Sequence, residues 1–303
     1  MLARQWGIIR REDWENTLIH IARRFLLSGF LLLPVLSWGQ QPPIFFVQMS
    51  DPQFGMYTDN QDFAQETANF EFAIANINRL RPAFVVVTGD LVNKPADAQQ
   101  IAEYKRIAAK LDSAIPLYSA PGNHDVGNTP SAASLKAYRQ NIGPDYYTFH
   151  SGGLEGIVLN SSLIQHPEGV PEEAERQQKW LELELVKARD AAVRWVVVFQ
   201  HIPFFLHTPD EADQYFNIPA TQRSGYLNLL QRSGVRYVFA GHLHNNSFGK
   251  IESLEMITTG PVGKPLGTGA SGLRVARLDF DGIEQVFFDF AHLPNQLSHA
   301  FEK

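Results

Sequence analysis

The chain is expected to fold as an α/β domain with mixed sheets covered by helices. Three observations lead there. Short β-branched runs alternate with amphipathic segments through most of the chain. Several of those runs end directly in a loop rich in Gly, Asp, Asn or His. The last fifty residues switch to hairpin patterning, which a wholly parallel, doubly wound sheet would not show.

The elements follow in order. Ile44–Gln48 reads as a strand and Phe63–Leu80 as a helix, with Phe63, Phe70, Ile74 and Ile77 near helical spacing. Phe84-Val85-Val86-Val87 is apolar throughout, as suits a strand buried on both faces. Ala98–Leu111 is the next helix and Leu117-Tyr118-Ser119 a strand. Ser131–Gln140 is helical, with Ser131 as its N-cap. Tyr146–His150 and Leu154–Asn160 pair as a hairpin across Ser151-Gly152-Gly153. Glu172–Arg189 is a long helix opening at Pro171, with acids in its first turns. Trp195–Gln200 and Tyr237–Ala240 are strands flanking a helix over Gly225–Arg232. Met256–Thr259, Leu273–Phe280 and Ile283–Phe290 close the chain, the last two joined at Asp281-Gly282, a type I′ signal. Residues 202–224 and 260–271 are left as long loops, which in a compact domain usually serve function.

Of the 303 residues, 1–39 have the makings of a signal peptide. Arg23-Arg24 precedes the apolar run Phe25–Val35, and Ser37 and Gly39 are small residues placed for cleavage before Gln40. The run is short and broken by Gly29 and Pro34, so stable membrane insertion after cleavage is not expected. The expectation is export to a periplasm or the exterior; a retained anchor is the alternative. Residues 40–303 then form one domain.

Net charge is −6, and residues 1–39 carry five arginines against three acids, so the remainder sits at −8. Nucleic acid is therefore not the expected partner. The chain has no cysteine. That excludes disulfides, thiolate nucleophiles and Cys-based zinc sites, leaving His, Asp, Asn and Gln to hold any metal.

Five clusters sit directly after expected strands: Asp51-Pro52-Gln53, Gly89-Asp90, Gly122-Asn123-His124-Asp125, Gln200-His201 and Gly241-His242-Leu243-His244. Singly, each reads as an ordinary turn. Together they place carboxylates, an amide and imidazoles at strand ends, which converge in α/β sheets. Carboxylate, amide oxygen and imidazole suit Mn, Fe, Mg or Zn. Six or seven such groups exceed one tetrahedral ion, so two divalent metal ions are implied. One carboxylate can bridge a pair roughly 3.5–4 Å apart.

On these residues the chain resembles the calcineurin-like metallophosphoesterase superfamily. Asp51-Pro52-Gln53-Phe54-Gly55, Asp213–Pro219 and Ser271–Val275 resemble its subgroup of calcineurin-like phosphoesterase domain-containing protein 1. The resemblance implies a four-layer α-β-β-α sandwich with two mixed sheets and a dinuclear site. It places Asp51, Gln53 and His244 on the first metal, Asn123, His201 and His242 on the second, and Asp90 between them. His124 then faces substrate as a general acid or hydrogen-bond donor. Asp125 could orient it or a ligand histidine, or simply cap a turn. Gln53 stands where most of the superfamily has histidine. A neutral oxygen there should loosen the first site and favour Mn or Mg over Zn.

Asn93, Phe204 and Phe205 are candidate substrate contacts, with Tyr215-Phe216 beside them; core anchoring is the competing reading for these aromatics. Arg223, Arg274 and Lys264 are candidate cations for a phosphate dianion. The expected activity is hydrolysis of phosphomonoesters, including phosphoserine or phosphothreonine in proteins, by a metal-activated hydroxide. The alternatives are a phosphodiesterase for nucleotides or lipid headgroups, and a non-catalytic binding scaffold.

Overall fold

The structure, a computed structural model, describes residues 42–302; the signal-peptide expectation over 1–39 lies outside them. Strand β1 (Ile44–Met49) leads to helix α1 (Ala64–Leu80), β2 (Phe84–Thr88), α2 (Ala98–Ala108) and β3 (Leu117–Ala120). A four-residue α3 (Asn123–Val126) and α4 (Ala132–Asn141) precede β4 (Tyr147–Ser151) and β5 (Leu154–Val158). Then come α5 (Ser161–Gln165), α6 (Pro171–Asp190), β6 (Trp195–Phe199), α7 (Ala220–Arg232) and β7 (Tyr237–Ala240). Strands β8 (Ser247–Ile251), β9 (Leu254–Thr258), β10 (Gly272–Leu278) and β11 (Ile283–Asp289) finish the fold.

Two mixed sheets result, ordered β11-β10-β1-β2-β3 and β4-β5-β6-β7-β9-β8. In the first, β1–β2 and β2–β3 are parallel, while β10 runs antiparallel to β1 and β11. In the second, β5, β6, β7 and β9 are parallel, and hairpin partners β4 and β8 cap the edges.

Strand alternation makes the layers. On β1 and β2, Val47, Met49, Val85 and Val87 face α1, α2 and α4, meeting Phe70, Ile74, Ile107 and Leu135. Their neighbours Phe46, Phe84 and Val86 face the other sheet, meeting Val197, Phe199 and Phe239. Phe46 stacks on Phe84 at 4.9 Å and sets its edge to Phe239 at 5.5 Å. Beyond the second sheet, Val198 and Val238 pack on Leu181, Leu185, Leu227 and Leu230 of α6 and α7. The order is helix, sheet, sheet, helix, as expected.

Three local expectations need correction. Helix α7 starts at Ala220, five residues before Gly225, because Asp213 accepts the Ala220 N–H at 2.7 Å and open space surrounds Gly225. The β10–β11 turn is not type I′: Asp281 lacks a positive φ, and Asp279 accepts the N–H groups of Asp281 and Gly282 instead. Strand β8 was not foreseen; it pairs with β9 along one edge.

Candidate metal centre

Every strand-end cluster reaches one place, where the tips of the central strands of both sheets meet. Backbone bonds stitch the tips together. Asp51 N–H donates to Gly89 C=O at 3.1 Å, Gln53 N–H to Asp90 C=O at 2.9 Å, and Gly241 N–H to His201 C=O at 2.9 Å. A methyl on Gly122 would strike the Asp90 carboxylate, and one on Gly241 would strike Ser50, so both positions need glycine for close approach.

Of the seven expected ligands, Asp51, Gln53, Asp90, His242 and His244 hold positive φ, between 40° and 70°. For non-glycine residues that region is costly and concentrates where function demands it.

Asp90 belongs to two ligand groups at once: with His201 and His242, and with Asp51 and His244. In each group the donor atoms lie within 4.8 Å of one another. Asp90 Oδ2 is 3.2 Å from His201 Nε2, and Asp51 Oδ1 is 3.3 Å from His244 Nε2. Asn123 Oδ1 lies 3.1 Å from His201 Nε2, joining the first group.

Each imidazole is aimed by its outer nitrogen. His201 Nδ1 meets Thr88 C=O at 2.7 Å, His244 Nδ1 meets Lys264 C=O at 2.6 Å, and His242 Nε2 meets Tyr215 C=O at 3.0 Å. Those contacts require N–H at the outer positions, so neutral rings turn bare lone pairs inward. The carboxylates are split likewise. Asp90 Oδ1 accepts His124 N–H at 2.9 Å, and Asp51 Oδ2 accepts His242 N–H at 3.2 Å, leaving the other oxygens inward.

Does this set fit divalent cations? His201 Nε2 and His242 Nδ1 face each other at 3.2 Å, lone pair to lone pair in the neutral state. Asp51 Oδ1 and Gln53 Oε1 are buried without a hydrogen-bond partner. Orphaned inward oxygens and opposed nitrogens are what a cation would satisfy, and the oxygen–nitrogen donor set suits a hard to borderline ion. The residues fit.

The electrostatics say the same. Burial pulls His201 down, but Asp90 and Asp51 outweigh it and hold the ring up at about 9. Burial and the neighbouring His201 push His242 down to about 4. Burial would raise both carboxylates, yet the histidines around Asp51 and Asp90 keep them below the ordinary range. The site stores negative charge that protons on His201 meet where cations do not.

His124 is half-buried at the start of α3, beside the cluster. Its Nδ1 meets Asn93 C=O at 2.7 Å, so the partner of His124 is a backbone carbonyl and not Asp125. Asp125 accepts the N–H groups of Leu91, Val92 and Gly122, pinning the β2 and β3 loops to each other. Burial and the Asp90 charge push it up to about 7 against those donors.

The other expected contacts fall in different places. Phe204 and Phe205 have no exposure and pack in the core under α7, which rules them out as substrate contacts. Arg223 is buried and spends its donors on the carbonyls of Phe204 and Glu211. Arg274 lies between the sheets, bound to Thr258, Thr259, Asn246 and Gln285. Lys264, partly exposed, stays near the centre, its carbonyl on His244. The Asn93 side chain bonds Gln53 and Asn60.

Tyr215 and Phe216 both reach the centre, the Phe216 ring lying 5.5 Å from that of His242 and Tyr215 closer. The Tyr215 ring lies 4.9 Å from His242 and its hydroxyl accepts Asn123 Nδ2 at 3.1 Å. Asn128 Oδ1 takes the same amide at 2.7 Å. Tyr215, Asn128 and Gln165 line an open cleft of about 390 Å³ alongside Asn123. Asn128 and Gln165 carried no sequence signal, since neither falls at a strand end or in a recognisable motif.

Comparison with known proteins agrees with this geometry. The family described as Calcineurin-like phosphoesterase matches residues 46–246. Serine/threonine-protein phosphatase CPPED1 of Homo sapiens is 34% identical over 290 residues, 90% of this chain and 92% of its own length. The protein of that name in Danio rerio is 37% identical, covering 77% and 80%. Among solved structures, a dimetal phosphatase from Danio rerio superposes with a TM-score of 0.55 at 18% identity, over 82% of this chain and all of that one.

Proposed function

The chain belongs to the calcineurin-like phosphoesterase family, and from that membership we propose that this metal-dependent phosphoesterase is a phosphomonoesterase. The observation that carries the reading is Asp90, shared by two inward-facing groups of ligands. We assign Asp51, Gln53 and His244 to one cation, Asn123, His201 and His242 to the other, and Asp90 to both. When bound, the two cations supply Lewis acidity, which makes a water more acidic and offsets charge on the phosphoryl oxygens.

The chain's own residues do the rest. Thr88, Tyr215 and Lys264 hold the three imidazoles in the tautomer that points a lone pair inward. Asn93 C=O accepts a hydrogen bond from His124 Nδ1–H, so Nε2 is the nitrogen that can meet substrate. As imidazolium, His124 gives its Nε2 proton to the leaving oxygen as the bond from phosphorus to that oxygen breaks and a bond from a water oxygen to phosphorus forms, the water's own proton passing to solvent. The cleft by Asn123 offers the leaving group amides, a phenol, the His166 imidazole and the Asp213 carboxylate. The relatives named serine/threonine-protein phosphatase extend the proposal to phosphoserine or phosphothreonine substrates.

Hydrolysis of 4-nitrophenyl phosphate with Mn²⁺ is expected, with slower turnover of its bis-ester. His124→Ala should lower kcat about 10²–10⁴-fold with metal content unchanged. Faster bis-ester hydrolysis would favour the diesterase, and bound metal without turnover the scaffold. The neutral Gln53 oxygen supports Mn or Mg over Zn in the first site. Export with cleavage after Gly39 is also proposed; a mature protein whose N-terminus is not Gln40 would refute it.

A further inference from the structure

Gln53 has an amide whose two ends differ only in whether they offer a lone pair or N–H groups, and a chain of neighbours decides which end is which. The decision starts at two backbone N–H groups, which can only donate. Those of Asn93 and Lys94 point at the Gln100 side chain at 3.0 and 2.9 Å, so the receiving atom is Oε1. The other end of Gln100 is therefore its NH₂, and it meets Asn60 at 2.8 Å, which makes that atom Oδ1. The same Asn60 oxygen lies 2.9 Å from the Asn93 amide, which must present NH₂ there. Asn93 then turns Oδ1 toward Gln53, 3.2 Å from its Nε2. What remains is Gln53 Oε1, buried and without a partner.

Gly55 gives the chain its room. A Cβ there would lie 2.6 Å from Gln100 Nε2 and 2.9 Å from Asn60 Oδ1. Gln100 itself is buried.

We propose that Gln100, Asn60 and Asn93 act as an amide relay that fixes the polarity of Gln53, so that it offers oxygen and not NH₂ to a cation. The inference rests on the assignment of Gln53 to the first cation. Gln100, Asn60 and Asn93 are positioning residues. The relay turns a flexible glutamine into a directed oxygen donor. Asn93 also ties it to His124 through its carbonyl, so one residue sets both groups.

Replacing Gln100 with glutamate keeps the acceptor for Asn93 and Lys94 but faces Asn60 with a second oxygen. Asn60, Asn93 and Gln53 then turn over in succession, and NH₂ reaches the cation. Mn²⁺ titration of metal-stripped protein by calorimetry tests this. The wild type should bind two ions. In Gln100→Glu one of them should weaken about 10–100-fold while the other keeps its affinity. On the half-buried Asn93, Asn93→Ala, which removes the acceptor for Gln53 Nε2, should weaken the same ion. Asn93→Asp, which retains that acceptor, should bind it no more weakly than wild type. That pair decides the matter should Gln100→Glu not fold. Two ions bound with wild-type affinity in Gln100→Glu, or in Asn93→Ala, would overturn the relay alone. A wild type that binds no pair of ions would overturn the assignment beneath it.

Discussion

Five expected ligands hold backbone conformations that cost roughly 1–3 kcal/mol each in an ordinary chain. They are held by backbone bonds among the strand tips and to the loop after β9, such as Gly263 N–H to Asp51 C=O at 3.0 Å. Aspartate and histidine tolerate this region better than branched residues do, so the chemistry-bearing types and the backbone they need coincide. Asp90, the residue common to both groups, should be the most sensitive. Asp90→Asn is expected to lose both cations, and Asp51→Asn one, by metal analysis of the purified protein; equal losses would refute the bridging role. That these residues come together was legible because motif order carried it. The role of Asp125 was not. A cap and an orienting carboxylate share the same spacing, and only the N–H groups of Leu91 and Val92, thirty-odd residues upstream, tell them apart. Phe204 and Tyr215 were likewise indistinguishable as aromatics on one loop, until α7 packed over the first and left the second beside His242.

At the scale of elements, the segment 202–219 matters most, since it brings Tyr215 to the centre. Glu211 organises it, accepting the N–H groups of Leu206, His207 and Thr208 and the amide of Asn217. Burial would raise this carboxyl, but Asn217 and those three N–H groups outweigh it and hold the pKa below the usual 4.5. A depressed folded value means the stabilisation is complete above about 4.5 and is lost as pH falls through the lower, folded value. Protection of the Leu206, His207 and Thr208 amides, measured as exchange relative to an unprotected amide at the same pH, should therefore fall on acidification below that point, and should be low at neutral pH in Glu211→Gln. Unchanged protection in that variant would remove Glu211 as the anchor. Most elements were legible from periodicity, as the Ser131 cap and the 171–190 helix show. Strand β8 was not. Of its inward residues Ser247, Gly249 and Ile251, the first two are too small to make a pattern, and Gly249 is small because His207 C=O and the Phe205 ring press on it.

For the whole molecule, the two sheets set the distance between the two halves of the centre. Asp51, Asp90 and Asn123 stand on one sheet's tips, and His201, His242 and His244 on the other's. An aromatic layer around Phe46 separates the sheets. A polar bridge also crosses them, Gln48 Nε2 donating to Ala240 C=O at 2.9 Å and Arg274 bonding Thr258 and Thr259. Phe46→Ala should cost about 3–5 kcal/mol in urea denaturation. A loss under 1 kcal/mol would mean the layer is not what spaces the sheets. Mixed sheets could be read from patterning, but the four layers came only through the family resemblance. Alternation shows that a strand has two buried faces without showing what covers each.

The decisive measurement is anomalous diffraction from crystals of the protein grown with Mn²⁺. Two peaks roughly 3.5–4 Å apart are expected, one beside Asp51 and His244, the other beside Asn123, His201 and His242, with Asp90 touching both. A single peak, or two that do not share Asp90, would contradict the dinuclear centre.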